Sequence, residues 1–190
     1  PTVSIPVATS LNGKGTIPDY HPLCVGVVGL YSRWCATRAV SEADLVIYIG
    51  SSAGGMVTNE WPVPSPNART VQIDIDPREL GRNYPVLAAI QGDAKASINK
   101  ILELSESNTE RDSWVKRVQE LVSGWRAEVE PLMLSDSSPV RTERLCRELT
   151  ELLPSDSILV SDTGHSGVWT GSMIDLKHPG QSYIRCAGSL

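Results

Sequence analysis

Apolar residues in this chain fall into two spacings. Short aliphatic runs bounded by glycine, proline or small polar residues predict strands. Longer stretches with apolar residues three or four apart predict helices. "SIPVATS" (4–10) is a β-prone run, closed by the turn "NGKGT". Residues 31–43, "YSRWCATRAVSEA", lack proline and glycine and predict a helix. "DLVIYIG" (44–50) is almost wholly apolar, the pattern of a parallel strand buried on both faces. The long loop "SSAGGMVTNEWPVPSPNA", in which Trp61 reads as a lid anchor, leads to the strand "RTVQIDID" (69–76). "PRELGRN" follows as a short helix candidate with Pro77 in its first turn. "AAIQG" (88–92) predicts a strand, and "DAKASINKILEL" (93–104) a helix capped by Asp93.

Strand and helix thus alternate through residue 104, which argues for an α/β fold with a doubly wound parallel sheet. Residues 110–134 predict a longer helix. Its Trp114, Val118, Leu121, Val122 and Trp125 share one face, read as packing on the protein's own sheet. "LSDSSP" (134–139) reads as a linker. It introduces a helix over 139–153, with Ser138 as cap, Pro139 in the first turn, and Leu145, Leu149 and Leu152 on the buried side. "SILVSD" (157–162) predicts another buried strand, "HSGVWTGSMID" a helix, and "SYIRC" (182–186) a further strand. The organisation expected is one α/β domain over 1–134 and an incomplete second α/β unit over 139–190.

Composition narrows the class. A charged fraction of 21% beside 41% hydrophobic residues is that of a globular chain, not a disordered one. The net charge of -5 offers no basic excess for nucleic acid. No apolar run approaches the roughly 20 residues of a membrane helix. Cys24, Cys35, Cys146 and Cys186 form no CxxC pair, so reduced, mostly buried thiols and a cytoplasmic setting are expected. The first residues, Pro1-Thr2-Val3-Ser4, carry no charged leader and no starting methionine, and the last are "IRCAGSL". Both ends read as cut.

Chemistry is suggested first by "VSDTGHSGVW" (160–169). A nucleophile elbow requires G-x-S-x-G. Gly164 stands two places before Ser166, but Val168 stands two places after it, where a minimal side chain is needed. Asp175 and His178 follow in the order of a hydrolase triad, yet nothing in the sequence brings them to Ser166. A strand running into "DTGHS" at a helix start has a second use, because backbone N–H groups there bind phosphate. Elsewhere, Asp74 and Asp76 end a parallel strand, where an acidic residue can accept ribose hydroxyls or cap the next helix. "GVVGLYS" (26–32) places Gly29 where a pyrophosphate could approach. "NGKGT" has no third glycine for a dinucleotide fingerprint.

In order and spacing, "ATSLNGKGTIPDYHPLCVGVVG", "EADLVIYIG", "VQIDIDPRELGRNYPV" with "QGDAK", and "ILVSDTGHSGVW" with "IRCAGSL" resemble the thiamine-diphosphate-dependent enzymes related to acetolactate synthase. The resemblance covers nearly the whole chain, and "IDIDPRELGRN" with "GDAK" is its most specific part. It implies that residues 1–134 correspond to the family's central domain and residues 139–190 to the start of its cofactor-binding domain. It implies thiamine diphosphate with Mg2+ in the full-length protein, a small-molecule 2-oxo acid as substrate, and a homodimer or homotetramer when intact. Thr163, Gly164, His165 and Ser166 match the turn that contacts thiamine diphosphate, and Gly188 and Leu190 the later turn beside its aminopyrimidine. The magnesium ligands, a Gly-Asp-Gly run with a later Asn, and the activating glutamate have no counterpart in this chain. It is therefore expected to be catalytically inert alone. In the family's central domain FAD, ADP or nothing is bound, and the matching positions are Gly29, Ser52, Asp74, Ile75, Asp93 and Ala94. Flavin-binding members carry an Arg-Phe-Asp-Asp-Arg run after the strand glycine, whereas Gly50 is followed here by "SSAGGMVT". An adenine-nucleotide-binding or purely structural α/β module is the alternative reading.

Overall fold

The computed structural model describes residues 3–106 and 111–186. Its elements in chain order are β1 (Val7–Thr9), β2 (Cys24–Val27), α1 (Trp34–Glu42), β3 (Leu45–Ile49), β4 (Arg69–Asp74), β5 (Ala88–Gln91), α2 (Ala94–Leu104), α3 (Asp112–Met133), α4 (Thr142–Leu152), β6 (Ile158–Ser161), α5 (His165–Met173) and β7 (Ser182–Arg185). Every strand pair is parallel: β1 with β2, β3–β4–β5 in that order, and β6 with β7. Parallel neighbours need crossovers; α5 supplies that between β6 and β7, while loops join the other pairs.

The main core forms where α1 and α3 pack on β2. Val25 and Val28 meet Cys35, Ala36 and Ala39 of α1 and Val118, Leu121, Trp125 and Val129 of α3. The apolar stripe of α3 therefore faces its own domain, with Trp114 and Val122 partly buried against the same cluster. Asp93 caps α2 as expected, its carboxylate accepting the Ala96 N–H at 2.8 Å.

Several expectations are corrected. Strand β2 has no counterpart in the sequence reading, although all four of its residues are buried. The stretch "PRELGRN" is a series of turns, not a helix. Asp74 Oδ1 accepts the Asp76 N–H (2.9 Å) and Asp76 Oδ1 accepts the Arg78 N–H (3.0 Å). These two side-chain turns compete with helical pairing. Helix α4 starts at Thr142 with Arg141 at its N-cap, so Ser138 is not its cap and Pro139 precedes it. Its buried side is Glu143, Cys146 and Thr150, while Leu145 and Leu152 are exposed. Strands β3 and β6 are not buried on both faces: Leu45, Ile49, Ile158 and Val160 are exposed. Residues alternate in strands, and here only one face of each of these sheets is covered.

A buried charge cluster joins the segment after α5 to the rest. The Arg33 side chain is 2% exposed, and its guanidinium donates to the Ser172 carbonyl (2.8 Å) and pairs with Asp19 (3.1 Å) and Asp175 (2.5 Å). It lies 4.6 Å from the centre of the Trp125 ring. Lys14 pairs with Asp19 at 3.1 Å, Arg126 pairs with Asp175 at 3.0 Å, and Asp19 also accepts the Leu176 N–H at 2.8 Å. Burial pushes the Lys14 ammonium below the ordinary lysine range against the pull of Asp19. Burial acts to raise the Asp175 carboxyl, but Arg33, Arg126 and Lys14 outweigh it and hold it at about 2. Helix α5 is fixed at its C-terminal end by these contacts, which leaves its N-terminal end presented.

Candidate cofactor-binding site

That N-terminal end is the stretch singled out in the sequence. Strand β6 ends at Ser161, and Asp162, Thr163 and Gly164 turn the chain into α5. Gly164 has φ +67°, a left-handed conformation that favours glycine, and a Cβ built on it would meet nothing within 4 Å. The turn therefore opens onto free space. Asp162 accepts the Thr163 N–H at 2.7 Å, and the first intrahelical bond is from Val168 N to Gly164 O at 3.1 Å. The N–H groups of His165, Ser166 and Gly167 precede that bond and point out of the helix start. Together with the helix dipole they form an anion cradle.

Thr163 Oγ1 is buried without a hydrogen-bond partner. A buried hydroxyl left unpaired is costly, and a ligand oxygen would satisfy it. His165 and Ser166 are exposed at the same turn. The Ser166 hydroxyl donates to the Thr163 carbonyl at 2.9 Å. Asp175 is held by Arg33 and Arg126. The triad considered from chain order is not assembled, and Ser166 is not an activated nucleophile. Gly188 and Leu190 lie outside the described residues.

Among the described residues no group of three or more His, Cys, Asp or Glu side chains could hold a metal ion. The donors at the turn suit the diphosphate of a cofactor; the acidic residues among those described do not build a magnesium site.

The six positions considered for a nucleotide are spread over four segments of the chain, and several of their polar groups are already used. Asp74 closes its own turn and Asp93 caps α2. The Ser52 carbonyl accepts from Asn83 Nδ2 at 2.6 Å. Ile75 is 72% exposed, and Ala94 is the first residue of α2. Gly29, φ +100°, has its N–H directed to Thr37 Oγ1 at 3.4 Å. A Cβ built on it would lie 1.9 Å from the Met56 carbonyl oxygen. Sequence reasoning missed Met56, because its role is played by a backbone atom. It also missed Arg33, two of whose partners, Ser172 and Asp175, lie far along the chain.

Residues 2–101 match the family model described as "Thiamine pyrophosphate enzyme, central domain". The chain belongs to this family. Beyond the matched segment, likeness to family members extends along almost all of the chain. It is 32% identical over 194 residues to the probable acetolactate synthase large subunit of Methanocaldococcus jannaschii, covering 98% of this chain and 32% of that protein. It is 32% identical over 177 residues to the acetolactate synthase large subunit of Lactococcus lactis, covering 93% and 30%. The probable acetolactate synthase large subunit of Methanococcus aeolicus is 29% identical over 198 residues, covering 98% and 33%. The chain spans about a third of the length of these relatives. Its parallel strands and helices are of the α/β class, consistent with that central domain. No helix among the described residues is long and apolar enough to cross a membrane.

Proposed function

We propose that this chain supplies one side of the thiamine diphosphate site of a 2-oxo-acid enzyme similar to acetolactate synthase. The turn Thr163–Ser166 receives the diphosphate. The observation that carries this reading is the unpartnered, buried Thr163 hydroxyl beside the open N-terminus of α5. Likeness to acetolactate synthase large subunits across the same residues supports it.

The amides of His165, Ser166 and Gly167 orient the diphosphate and bear part of its charge, and Thr163 donates its hydroxyl to a phosphate oxygen. Gly164 keeps the approach clear. His165, exposed at the same turn, offers its imidazole as a further donor to the diphosphate. When bound, the cofactor supplies the stabilised carbanion chemistry by which a 2-oxo acid loses carbon dioxide. The Mg2+ that would accompany the cofactor would neutralise part of the diphosphate charge, held by residues other than the described ones. Gly188 and Leu190 belong beside the aminopyrimidine. Residues 1–134 act as the central domain and residues 139–190 as the opening of the cofactor-binding domain. The intact enzyme is a cytoplasmic homodimer or homotetramer acting on a small 2-oxo acid. The chain by itself has no Gly-Asp-Gly run and contributes binding, not turnover.

An amide-resolved NMR titration with thiamine diphosphate and Mg2+ tests the assignment. Shifts centred on Thr163–Gly167 are expected, and Thr163→Val reduces them without lowering stability. Titration to about 10 mM, a Kd range of weak but specific contacts, with no response at that turn overturns the reading. Pyruvate incubated with chain, cofactor and magnesium is expected to remain unconsumed.

A further inference from the structure

Three parallel strands end at one small cleft. Ser10 follows β1, Val28 follows β2 and Arg185 closes β7, and all three line a cavity of about 60 Å³. Ligands of α/β folds sit outside the carboxyl ends of the strands, where polar groups converge on an apolar pocket. We propose that this cleft is a subsite for a short monocarboxylic acid, with Arg185 as the group that recognises the carboxylate. Carboxylate binding there needs no thiamine diphosphate; naming the acid as a 2-oxo-acid substrate rests on the function proposed above.

The Arg185 side chain is a cation in want of an anion. Its Nε is buried and has no hydrogen-bond partner, and among the described residues no carboxylate pairs with it. Its guanidinium lies 5.3 Å from the centre of the Tyr31 ring, a contact that attracts the charge but leaves the N–H groups unbonded. A buried donor of a charged group costs more to leave unpaired than a neutral one. A carboxylate satisfies charge and hydrogen bond together, because the planar fork of arginine matches its two oxygens.

The rest of the lining fits the same ligand. The Ser10 hydroxyl accepts the Gly13 N–H at 3.0 Å, so its proton is left to donate. Asn12 adds an exposed side-chain amide at the rim. Leu11, Val28 and Met56 form an apolar wall for an alkyl end, and no lining residue is acidic. The cavity has room for roughly four to six water-sized groups, the size of a three-carbon 2-oxo acid. In the β6–β7 register Arg185 stands opposite Ser161, and the Cys186 N–H donates to the Ser161 carbonyl at 2.9 Å. The cleft therefore opens at the end of the strand beside the one that leads into the Asp162–Gly164 turn, a position suited to a substrate of the cofactor held there.

The test titrates the chain with pyruvate, without thiamine diphosphate, and follows amide shifts by NMR. Saturable shifts are expected at Ser10–Asn12, Tyr31 and Arg185, with a Kd of about 1–10 mM. Arg185→Gln is expected to weaken binding about tenfold or more, and Arg185→Lys less, since it keeps the charge and loses the fork. Met56→Trp fills the cleft from its exposed side and is expected to abolish the response, which keeps the test decisive where Arg185→Gln fails to fold. Benzoylformate, too large for the cleft, is expected to leave these amides unmoved. No saturable response to about 50 mM pyruvate overturns the proposal. So does an unchanged Kd in Arg185→Gln or Met56→Trp, or benzoylformate binding as tightly as pyruvate. The cofactor titration above is read separately. A response to pyruvate at Arg185 with none to thiamine diphosphate at Thr163–Gly167 keeps the subsite and loses the diphosphate assignment, and the reverse pattern loses the subsite alone.

Discussion

Replacing Arg33 with methionine removes the hub of the buried charge cluster while keeping much of the side chain's volume. Three polar contacts are lost: with the Ser172 carbonyl, Asp19 and Asp175. Contact with the Trp125 ring loses its charge but not its apolar part. Stripping one partner from a buried pair costs about 3–5 kcal/mol, chiefly because the remaining charge is left uncompensated. Here neither carboxylate is abandoned, since Asp19 keeps Lys14 and the Leu176 N–H while Asp175 keeps Arg126. The loss belongs at the lower end, about 3 kcal/mol, which for a chain of this size lowers Tm by about 6–12 °C. Arg33→Lys preserves the charge but not the fork that reaches three acceptors, and loses roughly half as much. Urea unfolding followed by circular dichroism measures both variants. Combining Arg33→Met with Asp175→Asn in a cycle isolates their coupling, expected at about 1–3 kcal/mol. A loss below about 1 kcal/mol for Arg33→Met, the range of exposed ion pairs, refutes the cluster's role as a fastening.

The same cluster sets the response to acid. With its native carboxyl at about 2 and an ordinary value of 3.8, Asp175 stabilises the fold above pH 4. That contribution, about 2 kcal/mol, is lost as the pH falls from 4 towards 2. Glu42 is also lowered to about 2, by hydrogen bonding to Arg117 and to Arg38, but at the surface. Salt screens only the Glu42 part, so Asp175→Asn flattens the acid transition in high salt whereas Glu42→Gln changes it only in low salt. Thiol labelling gives an independent check. Burial raises the thiols of Cys35 and Cys146 to about 11 and also raises that of Cys24, while Cys186 is exposed. One fast-reacting thiol at pH 8 is expected from the native chain and four after unfolding; two or more fast thiols contradict the described burial.

The α/β class was legible because strand and helix patterns alternate at a regular interval, and the α3 stripe from Val118 to Trp125 gave the core directly. Strand β2 escaped notice because "CVGV" is short and carries a glycine in its middle, which reads as a break. The leucines of α4 misled because Leu145 and Leu152 follow helical spacing although the face actually covered is that of Cys146 and Thr150. At the candidate site, the strand-to-helix turn around Gly164 was visible, since residue type and position both point to it. The unpartnered Thr163 hydroxyl was not, because it depends on what surrounds the side chain. The seat of Met56 on Gly29 was beyond reach for another reason: a carbonyl is common to every residue, so no letter in the sequence announces it.

Arg33 and Asp175 are 142 residues apart. At about 5–20 residues per second of synthesis, roughly 7–28 s pass between the emergence of the one and the other. During that interval the nascent domain carries its arginine with Asp19 as a partner but without the second carboxylate. The final docking of α5 thus completes an electrostatic arrangement begun by Lys14, Asp19 and Arg33. A ribosome stalled before residue 175 would display a domain more open to chaperones and proteases than one in which Asp175 has joined Arg33.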